Sequence, residues 1–215
     1  MHPLQRLRQQ VIRSEMPWLT PSFFTRDVLT VARDLIGVEL HWQGCAGIIV
    51  ETEAYAVEDD AACHTATRPS ARHFVQTMPP GTAYVYLNYG MYWLFNLLVK
   101  DGPRDGLILV RALEPTGGTE AMFARRGCKR ETDLCSGPGK LGRALGLSGD
   151  DHGAPMAGRQ RREGCGLKMS SRALHDVVVD VRVGIRQAAD YPWRYLSKGN
   201  PHVSVPHGKV KPLGA

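Results

Sequence analysis

The sequence predicts an α+β fold: a single domain with a curved, largely antiparallel sheet, flanking helices and a protruding β-hairpin. Predicted strands outnumber predicted helices, and several strands follow one another through short turns, as antiparallel neighbours do. At 215 residues the chain is long enough to bury one substantial core, and no repeat or Ser/Pro-rich linker divides it. We therefore predict one domain over residues 17–215, preceded by a flexible basic N-terminus at residues 1–16.

The first predicted elements are a helix and a strand. Apolar residues recur at helical spacing from Phe23 to Ile36, after the capping sequence Thr20 to Ser22, and Gly37 is a typical helix stop. Val38 to Trp42 then has the composition of a strand that enters a turn.

The next predicted strand, Ala46 to Tyr55, has one apolar and one chemically active face. Side chains alternate between the two faces of a strand with a period of two. The first face is predicted to carry Ile48, Val50 and Thr52. The second is predicted to carry Glu51, Glu53 and Tyr55.

A long loop and a hairpin are predicted next. Glu58 to Pro80 is irregular and charged, which favours a functional loop. Thr82 to Asn88 and Tyr92 to Val99 are rich in aromatic and β-branched residues and predict two strands joined by a short connection. Tyr89 falls in that connection, where a side chain has nothing beneath it to pack on. We predict that Tyr89 contacts another molecule.

A further strand, Leu107 to Leu113, contains an arginine in an otherwise apolar run. Its predicted end is the Glu114-Pro115 pair. Alternation places Leu109 and Arg111 on one face, opposite a set of small and apolar residues: Ile108, Val110 and Ala112. Burial of an arginine is tolerated when its guanidinium meets a carboxylate or a phosphate.

The C-terminal third predicts a helix start, a basic segment and a last strand. Ser136 to Lys140 precedes a short helix, and the free amides and Lys140 are suited to a phosphate, although the sequence is not a P-loop. Gly153 to Lys168 combines arginines with glycines and predicts a mobile excursion. Val177 to Ile185 is predicted as the last strand.

The amino-acid composition indicates the kind of partner and the cellular compartment to expect for this protein. The 27 Lys and Arg residues against 21 Asp and Glu give a formal charge of +6, which suits a polyanionic partner. Five cysteines without a Cys-x-x-Cys pair indicate neither a zinc site nor a disulfide framework. Neither a secretion signal nor a membrane-spanning run is recognisable. We expect a soluble cytoplasmic protein with no metal and no membrane partner.

Several of these segments resemble one known family, the alkyladenine (3-methyladenine) DNA glycosylases of the mammalian and bacterial alkylpurine type. The similarity runs from about Phe23 to Val205. Its strongest blocks are Ile49 to Tyr55, Glu58 to His64, Pro80 to Tyr86, Tyr89 to Tyr92, Val110 to Pro115, Leu134 to Pro138, Gly199 to Pro201 and Val203 with Ser204.

The resemblance implies base excision from duplex DNA, in which a damaged purine is flipped out and its N-glycosidic bond is hydrolysed. Glu53 matches the general base of the family. Arg111 matches the residue that holds the attacking water together with that base and a DNA phosphate. Tyr55, His64 and Tyr86 match the walls that enclose the extruded base.

Three further residues have counterparts in the family. Tyr89 matches the residue that wedges into the vacated base stack. Asn96 matches a side chain that crowds the purine 2-position and disfavours guanine, and Leu109 matches an apolar wall. The implied partner is double-stranded DNA with damaged purines, associated with the nucleoid in a bacterium. The implied protein is a monomer that needs no cofactor.

The chemistry of the residues agrees with these roles. A purine alkylated at N3 or N7 is cationic and already a competent leaving group, so one carboxylate that activates water is enough. No catalytic lysine stands beside Glu53, and we therefore expect a monofunctional glycosylase without lyase activity.

Two other functions stay open at this point. A noncatalytic nucleic-acid-binding module would explain the basic charge, but it would not explain Glu53 and Arg111. A hydrolase of free nucleosides would not explain Tyr89 and Lys140. The segment Arg68 to Met78 departs from the sequence that many family members carry there, so its contribution to lesion preference is not implied.

Overall fold

The computed structural model describes residues 16–170 and 176–210. They form an α+β domain around a curled eight-stranded sheet, and all of its strand pairings are antiparallel. The strands are β1 (Glu39–Trp42), β2 (Cys45–Ala56), β3 (Ala83–Asn88), β4 (Tyr92–Val99), β5 (Gly106–Gly117), β6 (Cys165–Lys168), β7 (Val177–Asp180) and β8 (Arg194–Ser197). The helices are α1 (Val28–Asp34), α2 (His64–Thr67), α3 (Pro69–Thr77), α4 (Thr119–Arg126) and α5 (Pro138–Leu145). The predicted fold class is confirmed.

Strand β2 is the centre of the sheet. The main path of the sheet runs β3-β4-β5-β2-β1-β6, and β5 pairs with β2 along nearly its whole length. The opposite edge of β2 is shared, because β1 pairs with its first half and β8 with Glu51 to Glu53. Strand β7 adds to β8 on the outside. The two glutamates are therefore paired on both sides.

The two faces of the sheet differ. One face packs on the main core beneath α1, α4 and α5. Its strand residues include Ala83, Val85, Phe95, Leu97, Val99, Ile108 and Val110. The other face carries a smaller apolar cluster, in which Phe74 and Val75 of α3 pack on Tyr84, Leu98 and Leu107. Because α3 covers only part of this second face, the remainder is open for a cavity.

The pairing of β2 with β5 is interrupted by an extra residue on each strand, so some side chains lie on a different face from the one that alternation predicts. Val50 is an extra residue on β2 and Arg111 is an extra residue on β5, because Ile49 pairs with Leu113, Glu51 with Ala112 and Thr52 with Val110. Such a bulge turns the residues on either side of it to different faces than strict alternation gives.

The prediction that Ile48, Val50 and Thr52 share one face is therefore wrong. The Thr52 hydroxyl donates to the backbone oxygen of Ala32 in α1, on the main core side. Ile48 and Val50 instead join Ala112 in a separate small cluster, next to Val203. The prediction for Glu51, Glu53 and Tyr55 is unaffected by the bulge.

The first helix is shorter than predicted. A 3-10 turn at Pro21–Phe24 comes first, and α1 begins only at Val28. Its cap is Asp27, whose side chain accepts from the backbone N–H groups of Leu29 and Thr30 at 3.0 Å each. A carboxylate that satisfies two free amides is a strong helix start, and it fixes the boundary.

The predicted loop from Glu58 to Pro80 is wrong, because it contains α2 and α3. Ala71, Phe74 and Val75 lie at helical spacing and are buried, and Pro69 stands at the first position of α3. The helical spacing of these apolar residues was not recognised in the sequence, because charged residues surround them.

Three boundaries in the C-terminal half also differ from the prediction. Strand β5 continues past Pro115, which pairs opposite Gly47. The Gly153 to Lys168 segment ends in β6, which pairs with β1. The last predicted strand stops at Asp180, and β8 follows it.

In the described part of the chain, no helix combines the length and apolar character needed to cross a membrane.

Candidate active site

The open part of the second sheet face holds a cavity of about 370 Å³. Its floor comes from β3, β4 and β5, and its sides come from the end of β2, the segment before α2 and the segment after β7. The predicted site residues that border it are Tyr55, His64, Tyr86, Tyr89, Asn96, Leu109 and Arg111. Glu53 lies just behind this lining, and Lys140 lies outside it.

Glu53 is completely buried and is held by three hydrogen bonds. The backbone N–H of Val183 donates to its Oε1 at 2.6 Å. The Tyr55 hydroxyl and the Nη1 of Arg111 donate to its Oε2 at 2.8 and 3.1 Å. An ionised carboxylate has about four acceptor positions. The described contacts of Glu53 therefore leave about one position for a further donor such as water.

Arg111 connects the two glutamates of β2. Its Nε donates to Oε1 of Glu51 at 2.9 Å, while its Nη1 reaches Glu53. Burial alone lowers the pKa of Arg111, but the charges of Glu53 and Glu51 outweigh burial and raise that pKa above its ordinary value. Arg111 therefore stays cationic beside the cavity.

Glu51 is the main residue of the site that was not predicted to have a role. It accepts four hydrogen bonds: from Arg111, from Nη1 of Arg194 at 2.9 Å, and from the backbone N–H and hydroxyl of Ser204 at 2.6 and 2.9 Å. Three of these donors meet Oε1 and one meets Oε2, so Glu51 has one more protein donor than Glu53, and its partners Arg194 and Ser204 do not border the cavity. Two features of the sequence could have indicated a role for Glu51. It is predicted on the same strand face as Glu53, and the Val203 and Ser204 block that contacts it matches the family.

Aromatic rings form two walls of the cavity. The rings of His64 and Tyr86 meet edge to face with centroids 4.3 Å apart. Burial, followed by the neighbouring hydroxyl of Tyr84, raises the pKa of Tyr86 to about 12. Burial and then the charge of Glu53 raise the pKa of Tyr55 well above its ordinary value. Both phenols are therefore neutral near pH 7.

Tyr84 and Tyr92 are both predicted to serve sheet packing. Tyr84 does pack on Phe74, with ring centroids 5.0 Å apart, but it also borders the cavity. Tyr92 is 43% exposed and lies against the start of α5, where a Cβ on Gly139 would meet its ring. Glycine at position 139 allows this close approach.

His64 is neutral at physiological pH. Burial, followed by the charge of Arg68, lowers its pKa from 6.5 to about 4. Its Nδ1 lies 3.2 Å from the hydroxyl of Tyr84. A cationic ligand in this cavity therefore meets uncharged rings.

This lowered pKa predicts a pH dependence of stability. The folded protein favours the neutral form of the His64 ring. The contribution of the neutral ring to the free energy of unfolding is therefore complete above about pH 6.5, and it declines as the pH falls towards 4. Urea unfolding at pH 7 and pH 5 should show a larger loss for the parent than for His64→Gln. In an NMR titration the His64 ring, assigned with the same variant, should have its midpoint near 4. A midpoint near 6.5 would contradict the burial argument.

Asn96 is held in the floor of the cavity. It is buried and pairs with Tyr84 on one side and Leu109 on the other. Its Nδ2 donates to the backbone oxygen of Tyr84 at 3.1 Å. This bond fixes the amide plane.

Tyr89 is exposed at the rim of the cavity, with 82% of its surface accessible. Its φ of 50° lies in the left-handed region, which a bulky residue rarely adopts. Strain combined with exposure is typical of a functional position. Lys140 is exposed at the start of α5 and its Nζ donates to the Ser136 hydroxyl at 3.3 Å.

Metal binding has no evident centre in the described residues. Over residues 16–170 and 176–210, no group of three or more His, Cys, Asp and Glu side chains is arranged to hold a metal ion.

Comparison with known proteins places this site in a family. Residues 22–201 match the family model of the methylpurine-DNA glycosylases. A relative from Rhodopseudomonas palustris (strain HaA2) is 44% identical over 196 residues, which cover 88% of this chain and 92% of the relative. Relatives from Nitrobacter winogradskyi (44% identity; 87% and 88% covered) and Rhizobium meliloti (41%; 85% and 94%) are similar. All three are provisionally named as 3-methyladenine DNA glycosylases.

The fold, the site and these matches define an enzyme of the DNA glycosylase class, a hydrolase of DNA repair. The chain belongs to the methylpurine-DNA glycosylase family. The resemblance found in the sequence is thereby confirmed. The roles of the individual site residues stay predictions.

Proposed function

We propose that this protein flips alkylated or deaminated purines out of duplex DNA and hydrolyses their N-glycosidic bonds, leaving an abasic site. Glu53 activates the attacking water. The observation that carries the proposal is the acceptor position left on Glu53, a buried carboxylate just behind the lining of an aromatic cavity and paired with Arg111, which borders that cavity. Arg111 pairs with the carboxylate and supplies a further donor to the same water.

The cavity has the size and lining of a site for one base. Pockets for small ligands usually enclose about 300–1,000 Å³ with mostly apolar walls and few polar groups. Here the walls are Tyr55, His64 and Tyr86, and Leu109 and Asn96 form the floor. A flipped purine is read by such stacking and by hydrogen bonds to its edges.

Neutral, electron-rich walls favour a cationic base. A desolvated cation over an aromatic ring gains about 2 kcal/mol, which an undamaged purine does not. The positive charge also makes the base a good leaving group, so Glu53 needs no second carboxylate to protonate it. The names of the relatives make 3-methyladenine the first substrate to test.

The deciding experiment is product analysis on duplexes that contain 3-methyladenine, 7-methylguanine, hypoxanthine or 1,N6-ethenoadenine. We expect release of free 3-methyladenine, in EDTA as well as in magnesium. No lysine borders the cavity among the described residues, so strand cleavage should require added alkali. Failure to release any of the four bases would contradict the proposed function.

Tyr89 is proposed to fill the gap that the flipped nucleotide leaves, and Lys140 to contact a backbone phosphate of the same duplex. Both are exposed, and Tyr89 stands at the rim of the cavity. The protein is proposed to act as a monomer.

Tyr89→Ser should weaken binding to a lesion in paired duplex about tenfold, because the base stack then has no wedge. The effect should be smaller for a lesion in a bulge, where unstacking is already partly done. Fluorescence of 2-aminopurine next to the lesion measures extrusion. Tyr92→Ser, at the other end of the β3–β4 connection, is the matched control. Equal impairment on paired and bulged substrates would show that Tyr89 is only structural.

Asn96 is proposed to exclude purines with an exocyclic 2-amino group. Asn96→Ser should raise excision of guanine opposite thymine relative to hypoxanthine, because removing a steric conflict helps only one competitor. The variant also loses the hydrogen bond to Tyr84, which should lower both rates by a common factor. The ratio of the two single-turnover rates is therefore the measure. An unchanged ratio would mean that Asn96 only supports the sheet.

A further inference from the structure

A buried ion pair between Asp60 and Arg182 joins two segments that border the cavity. Nη1 and Nη2 of Arg182 donate to Oδ2 and Oδ1 of Asp60 at 2.6 and 2.9 Å. Both side chains are fully inaccessible. Neither residue borders the cavity, so neither touches a bound base. Charge-assisted bidentate bonds of this kind fix geometry more strongly than single bonds.

Asp60 organises the turn that carries His64. Its side chain also accepts from the backbone N–H groups of Ala56 and Ala62 at 3.2 and 3.1 Å. Its backbone oxygen accepts from the N–H of Cys63 at 3.0 Å. His64 follows directly as the first residue of α2. The carboxylate therefore sets the position of one aromatic wall relative to the end of β2.

Arg182 organises the opposite side of the cavity. Its guanidinium lies over the ring of Tyr55, 4.7 Å from the centroid, and its Nη1 also donates to the backbone oxygen of Ala54 at 3.0 Å. The next residue is Val183, whose N–H donates to Glu53. One side chain thus supports a wall and directs a donor at the catalytic carboxylate.

We propose that Asp60 and Arg182 are positioning residues of the glycosylase reaction. Their ion pair holds His64, Tyr55 and the Val183 amide in one arrangement around Glu53. The inference rests on the proposed function of that site. A displacement of about 1 Å at a reacting centre can cost on the order of 100-fold in rate, so loss of the pair should appear in the chemical step.

The test compares Asp60→Asn with a matched control, Asp151→Asn. Asp151 is also a buried carboxylate bound to an arginine, Arg162, but neither residue borders the cavity or contacts Glu53. Both variants should lose stability in urea unfolding. In single-turnover release of 3-methyladenine at saturating enzyme, Asp60→Asn should fall at least about tenfold and Asp151→Asn should stay within about twofold of the parent.

A second comparison uses the His64→Ala background. If Asp60 acts partly through His64, then Asp60→Asn should reduce the rate of base release by a smaller factor in the His64→Ala background than in the parent. The effects of residues that act as a unit are not additive. The Asp151→Asn effect should be the same in both backgrounds. Arg182→Lys keeps a positive charge beside Asp60 without the bidentate geometry. It should fold and still release base more slowly, and it replaces Asp60→Asn if the latter does not fold.

The outcomes separate the two hypotheses. A folded parent that releases no purine would overturn the proposed function of the site. An active parent with Asp60→Asn and Arg182→Lys as fast as Asp151→Asn would overturn the positioning role alone. Equal losses from Asp60→Asn in both His64 backgrounds would limit the role to Tyr55 and Val183 and contradict the part assigned to His64.

Discussion

Glu53→Gln is expected to reduce base release from a 3-methyladenine duplex by at least about 100-fold, the lower range for a positioned general base. The amide still accepts from the Val183 N–H, but it cannot take a proton from water. Its NH₂ group also faces the donors of Tyr55 and Arg111. Lesion binding should persist, because the cavity walls are unchanged. Single-turnover kinetics with gel-shift binding on the same duplex measure the two effects separately.

The matched control is the same substitution at Glu51, two residues earlier on the same strand. Four protein donors hold it, and two of its partners, Arg194 and Ser204, lie outside the cavity lining, so it is not placed to activate water. Glu51→Gln should therefore reduce base release much less than Glu53→Gln. Release near the parent rate by Glu53→Gln would rule out its assignment as the base.

Glu51→Gln should instead have the larger effect on stability, a loss of about 3 kcal/mol in the free energy of unfolding. The carboxylate is the shared partner of two buried arginines, Arg111 and Arg194. Removing it leaves both cations without part of their compensation. Arg194 keeps Asp180, and Arg111 keeps Glu53, which limits the loss. Urea denaturation at pH 7 measures the change.

Glu120→Gln, an exposed carboxylate in α4, controls for the loss of one negative charge and should stay within about 0.5 kcal/mol. A similarly small change for Glu51→Gln would show that Arg111 and Arg194 do not depend on Glu51 for compensation of their charges.

The sequence predicted most of the central sheet and the contents of the cavity. Strand alternation was sufficient to place Glu53 with Tyr55, and Leu109 with Arg111, because the pattern is local. It failed to separate Thr52 from Ile48 and Val50, since a bulge depends on the pairing with β5 and cannot be recognised from the sequence of β2 alone.

Partners from distant parts of the chain could not be predicted in this way. Arg182 and Ser204 reach the β2 region from more than 100 residues away. Nothing in the segment around Arg182 indicates that it is buried, and the block that contains Ser204 matches the family without indicating its partner. Helix α3 was missed for a local reason, because its apolar stripe is narrow and interrupted by Arg72 and His73.

The shared edge of β2 has a consequence for the order in which the protein assembles during synthesis. The partners of Glu51 in β8 and beyond, Arg194 and Ser204, are separated from it by 143 and 153 positions. Until the ribosome has released them, a nascent chain has β2 and Arg111, but it lacks the second of the two arginines that pair with Glu51. Contacts between such distant positions form slowly. The segment that contains Arg194 and Ser204 therefore completes the network around β2 after the earlier strands have been synthesised.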